Sequence, residues 1–220
     1  MLKENANVIR ELMNSIKKYY PINTCIKNED YPGDQLLDKI VADKIDSFTS
    51  DNLPKECYDL VNEINANFGA FTLHVRYYNF FPSYVITIEL ADKAVDCVRR
   101  VSWLNVKISM LTNYFTVYFE DQNWFNNLSD FKGSFKPIYF GVLSTRNTFY
   151  DPDEHLFNNL KNITLSYFPE YKHVSHKLLL DTKIDNRTPL GKYKDIIEPH
   201  SIYSFLFDND YQLPTTIVVE

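Results

Sequence analysis

Val101-Ser-Trp-Leu-Asn-Val-Lys-Ile-Ser-Met-Leu-Thr-Asn-Tyr-Phe-Thr-Val-Tyr-Phe-Glu120 carries apolar side chains at every second position on both sides of Thr112-Asn113. Alternation with period two marks extended strands, because successive side chains leave opposite faces of a sheet, and a polar pair between two such runs marks a tight turn. Val106, Ile108 and Met110, followed by Phe115, Val117 and Phe119, therefore predict two paired strands. The intervening positions, Leu111, Tyr114 and Tyr118 among them, are not purely polar, so both strands are expected to be central and covered on both faces.

Upstream, Phe71, Leu73, Val75 and Tyr77 alternate with Thr72, His74, Arg76 and Tyr78. Asn79 to Ser83 supplies turn chemistry, and Tyr84, Ile86, Ile88 and Leu90 resume the alternation, which predicts a hairpin with one wet face. Ala91 to Arg100 reads either as a short exposed helix or as the start of a long strand. Three amphipathic helices come earlier. Leu2, Ala6, Ile9, Leu12, Met13, Ile16 and Tyr20 form one stripe, ended by Pro21; Leu36, Leu37, Ile40, Val41, Ile45 and Phe48 form the second, after Tyr31-Pro-Gly33. Cys57, Leu60, Val61, Ile64 and Phe68 form the third, with Pro54 suited to its first turn and Gly69 to a left-handed position just past its end.

Downstream, Gln122 to Lys132 reads as a polar connection and Pro137 to Ser144 as a strand. Asp151-Pro152-Asp153-Glu154 caps a helix with the stripe Leu156, Phe157, Leu160, Ile163 and Tyr167, closed by Pro169. A strand is expected at His173 to Leu180, a loop at Asp181 to Leu190, a helical turn at Ser201 to Phe207 and an edge strand at Thr215 to Val219. No repeat or Gly/Ser-rich linker interrupts this order. The expected fold is one α+β domain over residues 1–220, with a helical part at 1–68 packed on a mostly antiparallel, sheet-rich part at 70–220.

Composition narrows the function. A hydrophobic fraction of 45% with 24% charged residues is that of a globular chain long enough to bury a core unaided. Aromatics reach 15%, and the richness in Asn, Lys and Ile beside them points to A/T-rich coding before it points to a selected binding surface. The net charge of −6 opposes binding to phosphate backbones and suits a basic protein partner, so no nucleic acid is expected. Cys25, Cys57 and Cys97 form no Cys-x-x-Cys pair, which fits a reducing compartment. The first twenty residues are charged throughout and no stretch reaches the ~18 apolar residues of a membrane span, so a soluble, cytoplasmic protein is expected. On that reading the glycosylation-type triplets at Asn127, Asn162 and Asn186 are chance matches.

Chemistry-bearing motifs are sparse. His173-x-x-His176, near Glu170, places its imidazoles on opposite faces if the segment is a strand, so no metal is expected there. Glu154-His155 beside Asp151 and Asp153 reads as helix capping ahead of acid/base catalysis. No nucleophile elbow, dinucleotide loop or phosphate loop occurs, and neither a catalytic residue nor a cofactor is assigned. A dispersed, hydrolase-like site built on His74 or His155 remains the enzyme alternative, and a self-associating structural subunit is a third reading.

Recognition is the class with residues to name. Tyr77, Tyr78, Phe80 and Phe81 surround the first hairpin turn, and Trp124-Phe125 follow Glu120-Asp121 in an expected loop. Tyr78, Phe81 and Trp124 are candidate aromatic anchors, and Glu120, Asp121, Asp151, Asp153 and Glu154 candidate acidic contacts for a basic partner. Ile108-Ser-Met-Leu-Thr-Asn-Tyr-Phe-Thr-Val-Tyr-Phe-Glu120, a strand, polar turn and aromatic strand, is similar to segments of the immunity proteins of bacterial polymorphic-toxin and contact-dependent secretion systems. The likeness covers less than a tenth of the chain, together with its acidic, aromatic-rich α+β character. It implies a non-enzymatic protein that binds one cognate toxin and blocks its active site or substrate groove. No binding residue carries over, because that class varies at its toxin-facing surface.

Overall fold

The computed structural model describes residues 2–22, 31–50, 54–76, 81–95, 98–125, 138–144, 154–185, 189, 199–207 and 217–219. Three helices open the chain: α1 (Leu2–Tyr19), α2 (Pro32–Thr49) and α3 (Lys55–Asn67). Five strands follow, β1 (Thr72–Arg76), β2 (Ser83–Val95), β3 (Val98–Ser109), β4 (Tyr114–Phe125) and β5 (Ile138–Ser144). Then come α4 (Glu154–Tyr167), β6 (Lys172–His173), α5 (His176–Asp181), β7 (Lys183–Ile184), β8 (His200–Ser201), α6 (Ile202–Leu206) and β9 (Ile217–Val219). The main sheet runs β1-β2-β3-β4-β5-β9 with β6 attached to β4, and β7 pairs with β8 apart from it. Every ladder is antiparallel except β4–β6 and β5–β9, so the architecture is the expected α+β with a mostly antiparallel sheet.

The β3–β4 pair is the centre of the sheet. Its register sets Leu104 opposite Phe119, Val106 opposite Val117 and Ile108 opposite Phe115. Ile88 and Ile86 on β2 continue the first two of these rows. Such cross-strand apolar pairs are the unit of sheet stabilisation. With Leu60, Ile64 and Phe68 of the α3 region and Leu160 and Ile163 of α4 they make one core. A second core lies on the other face, where Leu12 and Ile16 of α1, Leu37 of α2, Leu179 and Leu180 of α5 and most of α6 meet Tyr114 and Tyr118. The three N-terminal helices are thus divided: α1 and α2 serve one face of the sheet and α3 the other.

Local departures from the sequence reading have identifiable causes. Of Ala91 to Arg100, residues 91–95 and 98–100 are strand: β2 and β3 stay paired as far as Val95 and Val98, past a register shift between Glu89 and Ala91. Gln122 to Phe125 continues β4, because long-range pairing with β3 and β5 outweighs its polar composition. Of the strand expected at 173–180 only His173 is in one, as the second residue of β6; Ser175 then caps α5 by accepting the Leu178 amide. Leu36 and Phe48, assigned to the buried stripe of α2, are 48% and 38% exposed. The buried line is instead Leu37, Val41 and Lys44, and the Lys44 ammonium is buried because it donates to the carbonyls of Phe81 (2.5 Å) and Ser83 (3.2 Å). Pro54 is the residue before the first turn of α3, and Gly69 does not take the left-handed conformation. Gly33 is the glycine that close packing requires: a Cβ there would lie 2.1 Å from the Lys18 carbonyl oxygen, where α2 begins against the end of α1.

Candidate functional site

The side chains that alternate away from the α3–α4 core give the other face of the sheet a different chemistry. Beside Val85 and Val101, they include Thr87 and Glu89 on β2, Trp103, Asn105 and Lys107 on β3, and Thr116, Tyr118, Glu120 and Gln122 on β4. One end of this face is sealed by α1, α5 and α6. There Tyr118 stacks on His176 with centroids 3.7 Å apart, His176 meets Tyr203 edge-on at 4.8 Å, and Lys107 Nζ lies 5.9 and 5.3 Å from the Tyr118 and Tyr203 ring centroids. Burial, reinforced by the Lys107 charge, holds the His176 imidazole well below its ordinary pKa, so the ring is neutral at pH 7. All four side chains are buried, which closes this cluster to any substrate and makes it part of the packing.

Farther along, Glu89, Trp103, Glu120 and Gln122 are half-buried, and Val101 beyond Trp103 is buried again. Register places Glu89 directly opposite Trp103, and Trp103 directly opposite Glu120. With strands ~4.8 Å apart, the two glutamates are the cross-strand neighbours of the tryptophan, one on each side. Each is oriented by its neighbours. His74 Nε2 lies 3.3 Å from Glu89 Oε2; Asn105 Nδ2 donates to Glu120 Oε2 at 3.2 Å, and Gln122 Nε2 donates to its Oε1. The Asn105 oxygen in turn accepts the Thr87 hydroxyl at 2.7 Å, so a four-residue chain of side-chain hydrogen bonds crosses three strands. The register shift after Glu89 bends β2 immediately beyond the row. An aromatic platform between two held carboxylates, on rigid strands, is suited to receiving a cationic group.

The expected contact residues are distributed unevenly. Glu120 is in this row. Asp121 points to the opposite face, 3% exposed, where it accepts the Ser102 hydroxyl; burial raises its pKa, offset by that bond and by Arg100. Glu154 is exposed in the first turn of α4, across the sheet from Glu120, so these two acids do not share a surface. Phe81 is half-buried, and its carbonyl serves Lys44. Trp124 belongs to β4, opposite Arg99 and Tyr139, and not to a loop. Tyr78, Asp151 and Asp153 lie outside the described residues. Glu89, Trp103 and Asn105 were not singled out from the sequence, although their period-two spacing opposite Leu104 and Val106 is the signal that reveals the face.

Other candidates resolve similarly. His173 and His176 do go to opposite faces: His173 meets Phe115 and Phe157 edge-on, while His176 stacks on Tyr118. Burial pushes His173 down to about 4. Cys57 is a buried thiol in no disulfide, hydrogen-bonded with Tyr84 and pushed up to about 12 by burial, the opposite of an activated nucleophile. His155 is exposed on α4. Among the described residues no group of three or more His, Cys, Asp or Glu side chains is placed to hold a metal ion, and no helix is long and apolar enough to cross a membrane. Set beside protein-family models, curated proteins and solved structures, the chain matches none.

Proposed function

We propose that this chain is a non-catalytic, cytoplasmic protein-binding inhibitor of the immunity type, which neutralises a cognate bacterial toxin by occluding its active site or substrate groove. The observation that carries this reading is the row Glu89, Trp103 and Glu120 across β2, β3 and β4, a half-buried aromatic between two oriented carboxylates on a rigid sheet. Interfaces draw most of their energy from a few such aromatic anchors, and surrounding charges steer the encounter. A net charge of −6 adds a long-range field attractive to a basic toxin. Recognition here needs neither cofactor nor metal.

The test is co-expression with the toxin domain encoded immediately upstream. The reading expects the two proteins to purify together and the host to survive toxin induction only when this chain is present. Independent elution of the two, growth arrest regardless of this chain, or a neighbourhood of housekeeping genes would contradict it.

A further inference from the structure

Resting on that reading, we infer that the toxin is held by strand addition: an extended segment of it, apolar and basic at alternate positions, pairs with the outer edge of β1. The row of Glu89, Trp103 and Glu120 begins at that edge, because register sets Thr72 of β1 opposite Glu89. β1 is the terminal strand of the sheet, paired with β2 along its inner side, and among the described residues no other backbone group bonds its outer side. Such an edge presents N–H and C=O groups at the spacing another strand needs. Natural sheets blunt their edges with Pro, Lys, bulges or very short strands. Thr72-Leu-His-Val-Arg76 has neither Pro nor Lys, its ladder to β2 runs without a break, and its five residues are an ordinary strand length.

The two sides of the edge define what docks there. On the α3 side Phe71, Leu73 and Val75 are half-buried against the core with Val61, leaving apolar surface for alternate side chains of a neighbouring strand. On the other side Thr72 and His74 are exposed, and the Glu89 side chain beside His74 is 27% exposed. A basic residue next to Thr72 on an added strand starts two strands, ~9.6 Å, from Glu89, a gap that a lysine or arginine and the glutamate span together. A second copy would bring another charge of −6 to the same edge, so charge favours a basic partner over self-pairing.

The test follows hydrogen exchange of the backbone amides by NMR in the whole protein, alone and with the toxin domain encoded immediately upstream. Alternate amides of β1 point away from β2. These should exchange freely in the protein alone and slow at least ~100-fold in the complex, whereas the β2-facing amides are protected in both. A toxin that binds and leaves the outward amides fast overturns the inference while the inhibitor reading stands. Protection that rises with protein concentration in the absence of a partner assigns the edge to a second copy and also overturns it. If the toxin does not bind, the inhibitor reading fails, and the peptide acetyl-Lys-Val-Lys-Val-Lys-Val-Lys-amide decides the edge. Saturable shifts of the β1 amides are expected at ~0.1–1 mM peptide, about tenfold weaker with glutamate in place of lysine, and lost when every peptide N–H is methylated. No saturable shift up to ~10 mM, or undiminished binding of the methylated peptide, overturns the inference.

Discussion

The face of the sheet that meets α3 and α4 and the face that meets α1, α5 and α6 share the same strands, yet one is built mainly of Ile, Leu, Val and Phe, while the other mixes Val85 and Val101 with Thr, Glu, Trp, Asn, Lys and Tyr. A face made only for stability has no use for the second composition. Each buried polar group must recover its lost hydration through a partner, and leaving one unsatisfied costs about 1–3 kcal/mol. The polar face meets this requirement in part: Thr87, Asn105, Glu120 and Gln122 bond one another, while the Thr116 hydroxyl is buried without a hydrogen-bond partner among the described residues, and the face passes from a sealed end at Lys107 and Tyr118 to the half-buried Glu89, Trp103 and Glu120. Stability is therefore expected to reside chiefly in the first face and recognition in the half-buried row of the second.

The contrast can be broken by substitution. Phe115→Ala on the apolar face, at a fully buried position, should cost about 3–5 kcal/mol in urea denaturation, through lost transfer energy and a residual cavity. A loss under 1 kcal/mol would show that this core does not dominate.

Acid titration probes the buried histidines on both faces. His173 and His176 have folded-state pKa values below the ordinary 6.5, so the unfolded chain binds more protons than the folded one as pH falls below 6.5. Stability from these rings is complete above pH 6.5 and is lost progressively toward about 4, the folded value for His173, by on the order of 2 kcal/mol or more. Asp121, with a raised pKa, favours the folded state as it protonates and so opposes the trend only weakly near its own range. His176→Phe, which keeps the ring against Tyr118, should flatten the pH dependence between 6.5 and 4; an unchanged slope would mean that this imidazole is not held neutral.

Thr87→Val removes the hydroxyl that serves Asn105 and should cost about 1–2 kcal/mol by leaving a buried acceptor short of a donor. The smallest effect on stability is expected at the half-buried row. Glu89→Gln should stay within about 0.5 kcal/mol of wild type, because a partly exposed carboxylate contributes little to folding. A large loss there would turn the row into a structural element.

What the sequence disclosed follows from where the physics is local. The β3–β4 hairpin is legible because both strands are long, apolar and bounded by a polar turn, and α4 is legible from its stripe between a cap and Pro169. The continuation of β4 through Trp124 is not, since Gln122 and Asn123 become strand only by pairing with Val101 and Arg100. Nor is α5, a helix of six residues that stands on one Ser175 cap and the packing of Leu179 and Leu180. The site was half legible. Glu120 could be named from its charge beside aromatics, whereas its cross-strand neighbours Trp103 and Glu89 are distant in sequence and become a row only through register. Asp121 reads like Glu120 in sequence but faces the other way, a consequence of period two that shows only once the covered faces are assigned.

The most direct test of the account compares the two sides of the molecule in the toxin complex by isothermal titration calorimetry. Glu89→Gln/Glu120→Gln on the polar face should weaken toxin binding at least about tenfold, with a reduced dependence on salt, while Glu56→Gln/Glu63→Gln on the exposed side of α3 should change it less than about twofold. Loss of affinity confined to the α3 pair would place the interface on the wrong face of the sheet and contradict the account.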